Sequence, residues 1–184
     1  MGKIVAGLFM SLDGVIESPD QWHFPYWSDE MGEVVGGQLA TSDAMLLGRI
    51  TYEGFAAYWP QQSEDENEMA GFMNNTQKYV VSNTLKSADW QNSTIISGDV
   101  YGELRRLTQE EGKTLGITGS TVLIRSLLRE NLLDELHLLV HPIVVGGGMQ
   151  RLFPEGETQL PLKLTNSQQL PNGVVHLVYG SADS

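Results

Sequence analysis

The sequence predicts an α/β domain: a mainly parallel sheet with helices on both faces and an antiparallel C-terminal edge. Three observations carry this. Between residues 4 and 130, short apolar runs alternate with segments of helical spacing. Gly or small polar residues punctuate the changes from one to the other. The last third then switches to strand patterns joined around Pro171-Asn172-Gly173, a hairpin signal.

Ile4 to Met10 is an apolar run closed by Ser11-Leu12-Asp13-Gly14, the pattern of a buried strand ending in a turn. Helical spacing follows over Ser28 to Leu39, where Asp29, Glu30 and Glu33 open the segment and Met31, Val34 and Val35 are its apolar partners. Ala44 to Leu47 reads as a strand, and Thr51 to Tyr58 and Glu64 to Asn74 as helices. Strands over Tyr79 to Ser82 and Thr94 to Ser97 precede a helix over Val100 to Glu111. Thr114 to Thr118 is a strand leading to a helix over Ser120 to Glu130. A long strand over Glu135 to Val145 and two more, Leu162 to Leu170 and Val174 to Tyr179, complete the chain.

With 184 residues, 41% of them hydrophobic, the chain can bury roughly 70% of its unfolded surface in one core. No internal repeat or shift of composition divides it, so residues 1–184 are expected to form one domain. Eleven Lys and Arg stand against 23 Asp and Glu, a net charge of −12 and a pI near 4.6. That balance repels phosphate backbones and anionic lipid, so neither nucleic acid nor a membrane is an expected partner. Without cysteine there is no disulfide, thiolate nucleophile or Cys-ligated metal. The first apolar run is too short for a signal peptide's core or a membrane span, and a cytoplasmic location is expected. The acidic stretch QQSEDENE from Gln61 to Glu68 reads as a solvated loop running into a helix.

Chemistry concentrates at strand ends. Leu47-Gly48-Arg49-Ile50-Thr51 runs from a strand through Gly into a helix, where free N–H groups and a guanidinium suit an anion. Gly116-Ile117-Thr118-Gly119-Ser120-Thr121-Val122 is a second such junction, and Val81-Ser82-Asn83-Thr84 a third strand end of small polar residues. Three junctions suggest one extended phosphate-bearing ligand, although neither a GxGxxG fingerprint nor a Walker lysine is present. Gly146-Gly147-Gly148 marks a bend or the close approach of a ligand. Trp22, Phe24, Tyr26 and Trp27 can wall a pocket for a flat ring or pack a core. His137 and His141, four apart on one strand, share a face, but no third ligand makes a metal site.

Taken in order, MSLDGVI, LLGRITYEGF, VVSNTL, ITGSTVLIRSLL and LVHPIVVGGGMQRLF resemble the dihydrofolate reductase-like superfamily, and most closely the C-terminal reductase domain of the riboflavin-biosynthesis deaminase-reductase. The resemblance covers about residues 3 to 180. It implies a dihydrofolate reductase-like three-layer sandwich, an NADPH site at the sheet's carboxyl edge and hydride transfer to a small pterin-like or ribosylaminopyrimidine-like heterocycle. By that resemblance Phe9 and Ile16 hold the nicotinamide carboxamide, with Asp13 and Gly14 in the loop beside it. Gly48, Arg49, Ile50 and Thr51 hold the pyrophosphate and adenosine phosphate, Ser82 and Asn83 lie near the adenine ribose, and Thr118, Gly119, Ser120, Thr121 and Val122 form the turn under the pyrophosphate. Val122 stands where many dihydrofolate reductases carry a second Arg, which leaves Arg49 to select NADPH. Glu30 matches the family's proton-donating acid, with Asp29 and Glu33 as alternatives. Trp22, Trp27, Val34 and Val140 are expected to touch substrate. A homodimer, or a nucleotide-binding module without catalysis, fits the same fold.

Overall fold

Local pattern becomes architecture through one sheet. In the computed structural model, which describes residues 1–65, 67–110 and 112–182, eight strands are formed: β1 (Ile4–Ser11), β2 (Ala44–Gly48), β3 (Gln77–Val81), β4 (Ser93–Ile96), β5 (Leu115–Thr118), β6 (Glu135–His141), β7 (Leu162–Gln169) and β8 (Val175–Ser181). The helices are α1 (Asp29–Ala40), α2 (Arg49–Tyr58), α3 (Met69–Asn75), α4 (Val100–Arg105) and α5 (Thr121–Arg129). The strand order is β4-β3-β2-β5-β1-β6-β8-β7. Pairs among β1 to β6 are parallel, whereas β8 runs antiparallel to both β6 and β7. The C-terminal hairpin turns at Pro171–Gly173, where Asn172 and Gly173 both have positive φ.

Several boundaries move from their sequence-based positions. The strand expected to reach Val145 stops at His141, because Pro142 has no N–H for the ladder and Gly146, Gly147 and Gly148 then take left-handed φ of 63°, 69° and 71°. The helix expected from Glu64 begins only at Met69, and the one over Val100 to Glu111 ends as α4 at Arg105 before a wider turn over Arg106–Glu110. Glu66 and Glu111, inside those two expected helices, lie outside the described residues. Strand β3 begins two residues early and contains fully buried Lys78. Its Nζ donates to three carbonyls, Asn74 O, Thr76 O and Gln91 O, and burial lowers its pKa to about 8.

Alternation along β1 divides the core. Ile4, Ala6 and Leu8 pack with Leu115, Ile117, Leu136 and the α5 residues Ile124 and Leu127 on one face. Ile124 and Leu127 are fully buried, each stabilising the fold by roughly 1.5–3 kcal/mol. On the opposite face Phe9 joins Met31, Val34, Val35 and Leu139 under α1. A further cluster of Met45, Leu47, Tyr52, Met73 and Trp90 fills the space between α2, α3 and the sheet. Among the described residues no helix is long and apolar enough to cross a membrane.

Candidate active site

The carboxyl ends of β2 and β5 each feed directly into a helix. Gly48 caps α2 with φ −78° and Ser120 caps α5 with φ +51°, and neither offers a side-chain cap to its own helix. Helix-start N–H groups therefore keep their donor capacity, and the positive ends of two macrodipoles come together. Hydroxyls staple the two starts: Gly48 N–H donates to Ser120 Oγ (2.9 Å), and Ser120 N–H and Oγ–H both reach Thr51 Oγ1 (3.1 and 2.9 Å). Gly119, at φ +70°, is required here, since a Cβ would be strained by the backbone and would sit 3.3 Å from Thr51 Oγ1.

Above the staple lies a cavity of about 750 Å³ whose wall includes Gly48, Arg49, Ile50, Thr51, Asn83, Gly119, Ser120, Thr121 and Val122. Arg49 is its one base, and its Nη1 donates to Glu53 Oε2 at 2.9 Å, an exposed i,i+4 pair of small strength. Glu17, Asp99, Tyr101 and Gln150 also line it. Sequence analysis missed them because they arrive from three other segments.

A second cavity, of about 290 Å³, lies between the sheet and α1 and α2. Phe9, Val35, Leu39, Met45, Phe55 and Phe72 give it apolar walls, and Gln38, Ser42, Thr51 and Thr118 supply neutral polar groups. His137 is the one titratable side chain among the residues lining it. Its Nδ1 lies 3.0 Å from His176 Nε2 and its Nε2 3.1 Å from Glu135 Oε2. Burial, followed by the neighbouring His137, lowers the pKa of His176. Leu8, Ile16, Thr51 and Gly119 belong to both cavities, so the two meet.

The remaining expected residues are placed as follows. Asp13 does not line either cavity. Its carboxylate accepts from Ser11 Oγ (2.6 Å), Val145 N–H (3.0 Å) and Gly146 N–H (2.9 Å), tying the β1 turn to the glycine loop. Those donors, Ser11 first, lower its pKa to about 2. Gly14 follows at φ +85°, and Ile16 N–H donates to Gln150 O at 3.0 Å. Ser82 is buried and its Oγ accepts from Thr84 and Leu85 N–H, which shapes the strand end, while Asn83 Oδ1 accepts from Gly98 N–H.

On the expected substrate side, Val140 packs with Met10 into the α5-face core, opposite Phe9. One residue of strand register separates it from Leu139, which does line the smaller cavity. Trp22 is buried with its Nε1 donating to Glu17 O, Trp27 is exposed, and Val34 packs against the Met31 cluster. Glu30 is exposed and outside both cavities, as are Asp29 and Glu33. The helix phase explains this: Met31, Val34, Val35 and Gln38 turn inward, which rotates the acids toward solvent.

The pair His137 and His141 shares a strand face but has different surroundings. His141 is fully buried among the rings of Phe9, Trp22, Tyr26 and His23, with Nδ1 2.8 Å from Leu139 O. His23 stacks on Phe9 at 4.6 Å. Burial lowers the pKa of both. The aromatic segment was legible in the sequence; its packing around two buried imidazoles was not.

Comparison with known proteins supplies the family. Residues 2–176 match the RibD C-terminal domain. The uncharacterized protein YyaP of Bacillus subtilis (strain 168) is 29% identical over 180 residues, 96% of this chain and 94% of that protein. Among solved structures, the Thermotoga maritima diaminohydroxyphosphoribosylaminopyrimidine deaminase/5-amino-6-(5-phosphoribosylamino)uracil reductase superposes with a TM-score of 0.68 at 13% identity, covering 98% of this chain and 57% of that one. Dihydrofolate reductase from Enterococcus faecalis complexed with NADP(H) superposes with a TM-score of 0.61 at 16% identity, covering 99% and 98%. The fold is accordingly dihydrofolate reductase-like, with a mostly parallel eight-stranded sheet closed by antiparallel C-terminal strands. With the match extending over nearly its whole length, this chain belongs to the RibD C-terminal domain family.

Proposed function

We propose that this chain is an NADPH-dependent reductase acting on a C=N or C=O bond of a small heterocycle, pterin-like or ribosylaminopyrimidine-like, and that residues 1–184 work as one cytoplasmic domain able to pair as a homodimer. The observation that carries the reading is the pair of stapled, uncapped helix starts beside Arg49, on a cavity that opens into an apolar one. Such a floor fits a dinucleotide: first-turn N–H groups and hydroxyls suit a pyrophosphate, and the guanidinium suits a further phosphate. Gly48, Arg49, Ile50, Thr51 and Thr118 to Val122 would hold those phosphates, and Asn83 the adenosine end. Phe9, Ile16 and Gly14 would border the nicotinamide.

When bound, the cofactor supplies hydride at its nicotinamide ring. The protein's share is orientation, exclusion of water by the Phe9, Phe55 and Phe72 walls, and delivery of a proton. Reduction of a C=N bond leaves an electron pair on nitrogen, so a proton must follow. Glu30 lies outside both cavities, and both ring nitrogens of His137 are engaged by His176 and Glu135, so a water held by the hydroxyls of Ser42, Thr51 and Thr118 in the small cavity delivers that proton. Mixing purified protein with NADPH and dihydropterin or ribosylaminopyrimidine substrates, and following loss of reduced-nicotinamide absorbance, tests the proposal. NADPH binding without turnover on any of them would favour the non-catalytic module.

A further inference from the structure

The small cavity carries information about substrate charge that the family match does not contain. Among the described residues lining it there is no Lys, Arg, Asp or Glu. From residue 4 to residue 77, the stretch that forms β1, the loop over it, α1, α2 and α3, the chain has twelve Asp or Glu and a single Lys or Arg, Arg49. That base lines the larger cavity, where the cofactor is proposed to lie. A phosphate on the substrate would thus find no Lys or Arg in the small cavity and an excess of carboxylates on the elements around it, so burial there would be opposed.

What the cavity offers instead is a neutral carboxamide. Gln38 lines it from the inner face of α1, and Gly7 of β1 makes room for that side chain, since a Cβ there would collide with Gln38 Oε1. Gln38 Nε2 is buried without a hydrogen-bond partner. Buried polar groups are ordinarily paired, and a ring carbonyl brought beside the carboxamide would complete its bonding. Phe9, Phe55 and Phe72 provide the flat apolar contact that such a ring needs.

We infer that the small cavity takes an unphosphorylated, uncharged flat ring bearing a lactam carbonyl, with Gln38 as the residue that reads the carbonyl edge. This rests on the reductase reading and narrows it: the phosphoribosyl group named in the Thermotoga maritima reductase would meet no Lys or Arg among the residues lining the small cavity.

The test uses matched probes on the full chain saturated with NADP⁺, titrated by calorimetry. The pairs are 5-amino-6-ribosylaminouracil with its 5′-phosphate, and 6-hydroxymethyl-7,8-dihydropterin with its phosphate. The unphosphorylated member of at least one pair should bind at least tenfold tighter than its phosphate. Gln38→Leu should weaken that binding at least tenfold while NADP⁺ affinity stays within twofold. If Gln38→Leu does not melt cooperatively, Gln38→Glu, which keeps the shape but replaces the NH₂ donor with a carboxylate oxygen, should show the same loss. Tighter binding of a phosphorylated member, binding indifferent to Gln38, or no binding of any lactam ring overturns the inference. Failure to bind NADP⁺ in the preceding titration is a separate result and would sink the reductase reading itself.

Discussion

The rim that joins β2 and β5 to their helices and the wall that α1 lays over β1 are both cavity linings, yet they are built from different materials. The rim is made of backbone: uncapped N–H groups, a left-handed Gly119-Ser120 pair and two hydroxyls within 3.1 Å. The α1 wall is made of side chains whose direction depends on helix phase and strand register. Backbone features of the first kind are written in consecutive residues, so a strand, a glycine and a helix announce them. Orientation in the wall is set from outside the segment, and there Glu30 and Val140 turn away while Gln38 and His137 turn in.

The largest expected effect belongs to the rim. Gly119→Val places a β-branched residue at φ +70° and pushes on Thr51, adding roughly 1–2 kcal/mol of backbone strain. Loss of the staple's hydrogen bonds, at about 1 kcal/mol each, should weaken NADPH binding by about 100-fold. Fluorescence titration reads this, and binding within threefold of wild type in a folded variant would mean that the rim does not hold the cofactor.

On the wall, His137→Gln should lower kcat by less than about tenfold with NADPH affinity unchanged, because both its ring nitrogens are held by His176 and Glu135 and not by substrate. A loss of about 100-fold, read by steady-state kinetics, would make His137 itself the proton donor.

Arg49→Ala separates the two halves of the rim. Its Glu53 partner is exposed and readily exchanged for a phosphate, so NADPH should bind about tenfold more weakly and NADH nearly as before. Equal losses for both cofactors would place Arg49 on the shared pyrophosphate.

Stability should depend on pH through the aromatic segment over β1. His23 and His141 have pKa values lowered by burial, as does His176, with Asp20 opposing the shift at His23. A base whose folded pKa is depressed binds more protons unfolded than folded once the pH drops below its ordinary value near 6.5. Stability should therefore be intact above that pH and decline as acid is added toward the lowered folded values, at roughly 2–4 °C of melting temperature per kcal/mol lost. His141→Phe should flatten the decline; a melting curve unchanged between pH 7.5 and 5.5 in wild type would contradict the buried, neutral state.

The smallest effect is expected at Glu30. As an exposed residue of the first turn of α1, Glu30→Gln should change kcat by less than about twofold. A steep loss would show that α1 rotates on ligand binding, and would restore the sequence-based assignment of the proton donor.

Strand-helix alternation, the sheet's mixed character and the turn residues Gly48, Gly119 and Asn172-Gly173 were legible because each depends on neighbours a few residues away. So was the apolar face of α1, though not the rank of Gln38 upon it. The burial of Lys78 is not legible, because a lysine in a strand is ordinarily solvated and only the carbonyls of Asn74, Thr76 and Gln91 make its burial tolerable.

The sequence by itself determined the order of elements, the acidic surface and the anion-suited turns, since local backbone preference and composition suffice for these. Only the tertiary structure decided that Asp13 clamps the glycine loop outside both cavities, that His137 meets His176 across 39 residues of chain, and that the acids of α1 face water. The physical reason is shared by all three: a side chain's chemistry is chosen by its residue type, but its partner is chosen by sheet register and helix packing, which sum contacts from the whole chain.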